Sequence, residues 1–287
     1  MKHLSEYSAS DIVELAQADV ARALAEDVGA GDLTAALVDR ARVSNARIVA
    51  REPAVICGVA WVEAAVLACD PKASILWRVG EGERCEVNQI VVEFEGNAQA
   101  LLTAERTALN FMQMLSAVAT KTAVFVNAVA GTKAHIVDTR KTLPGLRLAQ
   151  KYAVKVGGGV NHRIGLYDAV LIKENHIAAA GGVSAVLKRV AETAPQARFV
   201  EIEVETLAQL DEALDCGARM VLLDNMDIPM LNEAVLRNAG RAILEVSGGV
   251  NLGTVRSLAE TGVDRISIGA LTKDVKAIDF SMRFDAF

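Results

Sequence analysis

Two kinds of hydrophobic pattern divide this 287-residue chain. From residue 8 to about 25, Ile12, Val13, Ala16, Val20 and Leu24 make one apolar helical stripe, and Ser8 or Ser10 stands ready to cap it. "EDVGAGDLT" then breaks the period with two glycines. From about 46 to 98 the text reads as strands: "ARIVARE", "AVICGVA", "SILWRVG" and "NQIVVEFEG", punctuated by turn residues. A helix-rich stretch follows from Ala104 to about Ala130.

Beyond that point short β-branched runs recur: "AHIVDT" (134–139), "DAVLIKE" (168–174), "RFVEIEVE" (198–205), "RMVLLDN" (219–225), "RAILEVSGG" (241–249) and "DRISIGA" (264–270). Each is almost continuously apolar, as a parallel strand buried on both faces must be. Helical text such as "GGVSAVLKRVAETA" and "LAQLDEALDCG" lies between them. Repeated βα units favour a closed barrel, with an open doubly wound sheet as the alternative. No GxGxxG follows an early strand, which weakens a dinucleotide-binding version of that sheet.

Polar residues gather at the C-terminal ends of these strands, the face on which barrel active sites form. They include Asp138 to Lys141, Lys173 to His176, Glu203, Glu205, Asp224, Asn225, Ser247 to Gly249, and Gly269. Charge sharpens this picture. The chain is acidic, at formal net charge -6, yet residues 138–163 carry Arg140, Lys141, Arg147, Lys151, Lys155 and Arg163, with His162 beside the last. An acidic whole excludes a broad nucleic-acid face, and the local cluster suits a small, strongly anionic ligand.

Each candidate has a plain structural alternative. The glycines of "SGG" and "IGA" expose backbone N–H groups that can cradle a phosphate, or they simply form tight turns. Glu203 and Asp224 can face Mg²⁺ on a pyrophosphate or a developing cation, or can pair with lysines. Arg140, His162, Arg163 and Lys173 can grip carboxylates or phosphates, or stand as surface cations and a satisfied core histidine. A strand-end Lys173 also admits Schiff-base, aldolase-like chemistry.

The remaining composition sets bounds. A hydrophobic fraction of 52% with 23% charged residues is that of an ordinary globular protein, so long disorder is not expected. Cys57, Cys69, Cys85 and Cys216 form no CxxC pair, and read as buried apolar thiols in a reducing compartment. The N-terminus lacks the apolar core of a signal peptide, and no run of about 18 apolar residues suggests a membrane span. The expectation is a cytoplasmic protein with no membrane and no nucleic-acid partner.

"TRKTLPGLRLAQKYAVKVGGGVNHRIGLYDAVLIKENH" resembles the signature block of the quinolinate phosphoribosyltransferase family. The likeness extends in order through "EDVGAGDLT", "ERTALNFMQMLS", "EIEVE", "LLDNM", "SGGV" and "SIGALT", and so covers nearly the whole chain. The resemblance implies an N-terminal α/β sandwich domain over residues 1–112, rejoined by a C-terminal return over 275–287 that includes "FSMRF". An incomplete, TIM-like α/β barrel would occupy 113–274. The implied reaction joins quinolinate to phosphoribosyl pyrophosphate (PRPP) and gives nicotinate mononucleotide, pyrophosphate and CO2. Both substrates are polyanions, which answers the basic cluster.

By the same resemblance Arg140, His162, Arg163 and Lys173 would hold the quinolinate carboxylates. Arg106 would reach a neighbouring subunit's site, making a homodimer the minimum unit. Lys141 would contact PRPP. Glu203 and Asp224 would face the ribose and the Mg²⁺-pyrophosphate and stabilise the ribosyl cation. Ser247, Gly248, Gly249 and Gly269 would hold the 5′-phosphate. Lys141, Lys173, Glu203 and Asp224 are thus the expected catalytic set, with Lys173 a cation rather than a covalent group. One departure is Ala117, where the family often has Gly. Competing readings are a molybdenum-transport-associated paralogue with another acceptor, a simple nicotinate phosphoribosyltransferase, and a silent phosphate-binding regulator.

Overall fold

A computed structural model describes residues 4–285. In chain order these form α1 (Ala9–Asp27), β1 (Val43–Ala50), β2 (Ala54–Val55), α2 (Val59–Cys69), β3 (Ser74–Trp77), β4 (Arg84–Cys85), β5 (Ile90–Asn97) and α3 (Ala98–Ala128). There follow β6 (His135–Val137), α4 (Arg147–Val156), β7 (Val170–Ile172), α5 (Glu174–Ala180), α6 (Val183–Thr193), β8 (Val200–Val204) and α7 (Leu207–Asp215). The chain continues through β9 (Met220–Asp224), α8 (Ile228–Asn238), β10 (Ile243–Ser247), α9 (Val255–Glu260), β11 (Arg265–Ser267), α10 (Ala270–Lys273) and β12 (Phe280–Phe284). It divides into two compact units: residues 1–123, 142–158 and 271–287 in one, and 124–141 with 159–270 in the other.

The first unit is built on an antiparallel sheet in the order β12-β1-β5-β3. Phe280 to Phe284 pair against Ala50 to Ala46, so "FSMRF" does join this sheet. Residues 286 and 287 of the expected return lie outside the described residues. Helix α1 starts as its sequence dictates. Ser8 accepts from Asp11 N–H while Asp11 accepts from Ser8 N–H, and Ala16 and Val20 are buried.

The sequence pattern missed α2. Its text, "VAWVEAAVLAC", is apolar on nearly every face, although only the face of Trp61, Val62, Ala65 and Val66 is buried and Leu67 is exposed. With no polar stripe the helical period is invisible, and its valines imitate a strand. The Glu81 carboxylate accepts from Gly58 N–H and, at 2.8 Å, from Val59 N–H, placing negative charge at the helix N-terminus.

Helix α3 is, among the described residues, the one helix long and apolar enough by length and composition to cross a membrane. Half of that window is buried inside the protein, as in a core helix. Ala117 is buried on this helix. Gly157, first of the three consecutive glycines, packs against it: a Cβ there would collide with the Ala119 carbonyl and lie 2.7 Å from Thr122 Cβ. That glycine therefore serves packing between α3 and the end of α4, and is not held open for a ligand.

The second unit carries a six-stranded sheet in the order β6-β11-β10-β9-β8-β7, with every pairing parallel. Strands β7 to β11 run in sequence order and β6 follows β11, which is the cyclic order of a barrel with its seam open between β6 and β7. A doubly wound sheet would reverse its order part-way. At the seam, Val160 pairs in parallel with Val137 along the free edge of β6.

The cysteines divide. Cys57 and Cys85 are buried, Cys69 is half-buried, and Cys216 is exposed with its thiol 3.2 Å from Ser184 Oγ. The expectation of four buried thiols is corrected at Cys216, where the Cys216–Gly217 turn ends α7 at the surface.

Candidate active site

The C-terminal strand ends of the second unit bring most of the expected residues together. Register is the cause. Ser247 pairs beside Asp224 and Glu203 beside Leu222, so alternate residues of β8, β9 and β10 project on one face. Lys173, the residue after β7, brings its Nζ to 3.8 Å from Glu203 Oε2. Glu203 is half-buried, and its carboxyl is raised above the ordinary range by desolvation. Lys173 opposes that shift, while the like charges of Asp224, Glu174 and Glu205 add to it. These acids thus crowd one another at the strand ends.

The phosphate candidates adjoin them. Gly248 has φ +102°, and a Cβ there would lie 2.5 Å from Asn225 Oδ1. Glycine is required on both counts. Gly249 also has positive φ and faces open space. Asn225 itself is left-handed, at φ 51°, and donates to Asp224 Oδ2 at 3.2 Å. Its place between two candidate residues was not foreseen as functional. At Gly269 a Cβ would meet Lys141 Cδ at 2.8 Å, so Lys141 lies directly over the end of β11 beside Thr139.

The basic stretch is divided between the two units. Arg140, Lys141, His162 and Arg163 belong to the second unit, whereas Arg147, Lys151 and Lys155 lie on α4 in the first, with Lys151 fully buried. Arg106 is an exposed residue of α3 in the first unit.

Within the second unit Arg163 is 9% exposed, and its NH1 donates to the Ala169 carbonyl at 3.3 Å. Desolvation and the nearby Arg140 charge lower its pKa, against the pull of Asp168 and Glu201. Arg140 Nε is buried with no hydrogen-bond partner. Two adjacent guanidiniums, one with an orphan donor, are poised for an anion with more than one acceptor.

Sequence reasoning missed what lies beneath them. His162 Nε2 is 2.7 Å from Glu201 Oε2 and 3.7 Å from Glu245 Oε1, and Arg265 Nε is 2.8 Å from Glu245 Oε2. Both acids are fully buried. Burial, with lesser help from like charges, pushes each carboxyl up to about 7 against the pull of Arg265. Asp138, equally buried, accepts from His162 N–H at 2.9 Å and from Asn161 Nδ2 at 2.6 Å. The signal was present in the strand text: Glu201 and Glu245 interrupt apolar runs that should be buried. Two cavities, of about 280 Å³ beside β7, α5 and α6 and about 310 Å³ at the N-terminal strand ends, lie apart from the expected substrate-binding residues; of the polar strand-end residues only His176 lines one of them.

The family models for the quinolinate phosphoribosyl transferase N-terminal and C-terminal domains match residues 32–116 and 118–283. This chain belongs to the quinolinate phosphoribosyltransferase family. It is 44% identical over 279 residues to the nicotinate-nucleotide pyrophosphorylase [carboxylating] of Mycobacterium leprae, covering 94% of this chain and 97% of the relative. It is 37% identical to the probable enzyme of that name from Bacillus subtilis, over 90% of this chain and 89% of the relative. The structure of nicotinate-nucleotide pyrophosphorylase from Francisella tularensis superposes with TM-score 0.93 at 39% identity, covering 99% of this chain and 100% of that one. The expected α/β architecture, with a barrel-like second unit, therefore holds throughout.

Proposed function

We propose that this protein transfers the phosphoribosyl group of PRPP to quinolinate and releases CO2, giving nicotinate mononucleotide for NAD biosynthesis de novo. Membership of the family supports this reading. The observation that carries it at the site is the Arg140–Arg163 pair, with its orphan buried donor and mutual repulsion. A dicarboxylate relieves both, and each charge-assisted hydrogen bond is worth about 1.5–3 kcal/mol. Lys173 adds a cation beside them.

Lys141, Ser247, Gly248, Gly249 and Gly269 bind the phosphates of PRPP. Glu203 and Asp224 face the ribose, where positive charge develops as pyrophosphate leaves. Their crowding also fits Mg²⁺, a hard cation that one or two carboxylates hold together with phosphate oxygens. Glu203 and Asp224 would hold the ion, which would supply positive charge to the leaving pyrophosphate. No protein nucleophile is needed: the pyridine nitrogen attacks C1 of the ribose, and the resulting cationic ring stabilises the carbanion left by the 2-carboxylate. Lys173, paired with Glu203, acts as a charge and not as a Schiff base.

Arg106 completes the site of a neighbouring subunit in a homodimer. Its exposure, with that of Leu33 and Leu37 in the same unit, supports this. Four free cysteines suit the reducing cytoplasm.

The deciding experiment supplies quinolinate, PRPP and Mg²⁺ and follows nicotinate mononucleotide and CO2, with nicotinate in place of quinolinate as control. Product with quinolinate alone is expected. PRPP binding without quinolinate turnover would instead mean a paralogue with another acceptor.

A further inference from the structure

Four side chains of the second unit, the buried His162, Glu201 and Glu245 and the half-buried Arg265, touch one another close to the strand-end residues, and Glu201, Glu245 and Arg265 have no role in the reaction as described. Hydrogen bonding fixes the state of the histidine. Arg163 N–H donates to His162 Nδ1 at 2.8 Å, so that nitrogen carries a lone pair. The ring proton then sits on Nε2, which donates to Glu201 Oε2 at 2.7 Å. This arrangement disfavours a metal ion among His162, Glu201 and Glu245, whose ligand atoms lie within 4.8 Å of one another. Nε2 has no lone pair to offer, and Arg265 already supplies positive charge.

The chain of contacts leads to Arg163. Glu201 holds the ring, the ring holds the Arg163 amide, and Asp138 holds the His162 amide from the other side. Phe199 meets the ring edge-on, with centroids 5.3 Å apart, and bars rotation. We infer that Glu201 is a positioning residue for the dicarboxylate pocket: through the fixed tautomer of His162 it sets the backbone of Arg163 and so aims that guanidinium. The inference rests on the quinolinate reading of the pocket, but the tautomer it requires does not.

Two variants separate the roles of Glu201. Glu201→Gln keeps an acceptor in place and loses the charge, whereas Glu201→Leu keeps the volume and loses the acceptor. Glu201→Leu is expected to raise the KM for quinolinate about tenfold, the scale of one lost buried hydrogen bond, with the KM for PRPP within about twofold of the parent. Glu201→Gln should restore most of the difference. In unliganded wild-type protein carrying ¹⁵N-labelled imidazoles, His162 should show a proton on Nε2 and none on Nδ1, retained in Glu201→Gln.

A proton on Nδ1, or an imidazolium, in the unliganded protein would overturn the inference, whatever the enzyme turns over. So would an unchanged quinolinate KM in Glu201→Leu, or equal rises in both KM values. Should Glu201→Leu fail to fold, the Gln variant and the nitrogen spectrum still decide. Absence of quinolinate turnover by the wild type would defeat the proposed function instead, and the spectrum would read the same.

Discussion

The two units bury polar groups to different ends. In the first, buried polar side chains answer specific partners. Asp19 accepts from Trp61 Nε1 at 3.0 Å, and Ser116 Oγ both accepts from Cys57 N–H and donates to its carbonyl. In the second, buried charges face one another, and several atoms remain without aligned partners: Arg140 Nε, Glu201 Oε1, both Glu245 oxygens, and Arg265 Nε and NH2. Among the described residues of the first unit, Ser281 Oγ is the one counterpart. A satisfied buried group stabilises a scaffold, while a buried donor without a partner, as at Arg140 Nε, costs about 1–3 kcal/mol. Glu201, Glu245 and Arg265 are held instead by close charge pairing with His162 and with one another.

The contrast breaks most visibly at the arginines. Arg140→Ala, or Arg163→Lys with its charge kept and its fork lost, should cut kcat/KM for quinolinate about a hundredfold, the equivalent of one or two charge-assisted hydrogen bonds. The KM for PRPP should barely move, and steady-state kinetics with each substrate varied would show it. A uniform loss in both would remove these residues from the quinolinate pocket. Next come Glu203→Gln and Asp224→Asn. Each should lower kcat at least about tenfold with little change in the quinolinate KM, because they act where charge develops. An unchanged kcat would return them to the role of salt-bridge partners for Lys173.

A smaller effect should appear in stability against pH. The Glu245 carboxyl is raised to about 7 from 4.5, first by burial and then by the Glu201 charge, against the pull of His162 and Arg265. Its folded form holds a proton that the unfolded chain releases. The stability it contributes is thus present below about 4.5, declines as pH rises towards 7, and is gone above that. Urea denaturation at pH 5 and pH 8 should show the parent losing about 2 kcal/mol relative to Glu245→Gln over that interval. A parallel pair of profiles would mean that Glu245 stays ionised throughout.

The smallest effect on catalysis belongs to the first unit. Ser116→Ala should cost about 1–3 kcal/mol of stability, since it strips the partners from a buried amide and carbonyl. Both KM values should stay as they are. A change in either would blur the division between scaffold and site.

Much of this was legible in the chain. The six parallel strands fall inside the six β-branched runs, because strands buried on both faces leave a nearly continuous apolar signature, broken here by Glu201, Glu203 and Glu245. The start of α1 was legible as a cap at Ser8 or Ser10, and the structure assigns it to Ser8, with Asp11 completing a capping box. Helix α2 was not legible, because its outer face is also apolar, with Glu63 its one charged residue, so the helical period does not stand out. The reason for glycine at Gly157 was not legible either, since only the crossing of α3 reveals the backbone it must admit.

By itself the sequence determined the strand-ends and their chemistry: which residues are acidic, basic or glycine, and that they follow apolar strands. It could not determine which charges share an environment. Arg147, Lys151 and Lys155 stand within one short segment with Arg140 and Arg163, yet fold into the other unit. Glu245 lies 83 residues beyond His162 and comes within 3.7 Å of it. Parallel register, helix crossing and desolvation depend on contacts between distant parts of the chain, so only the tertiary structure could decide them.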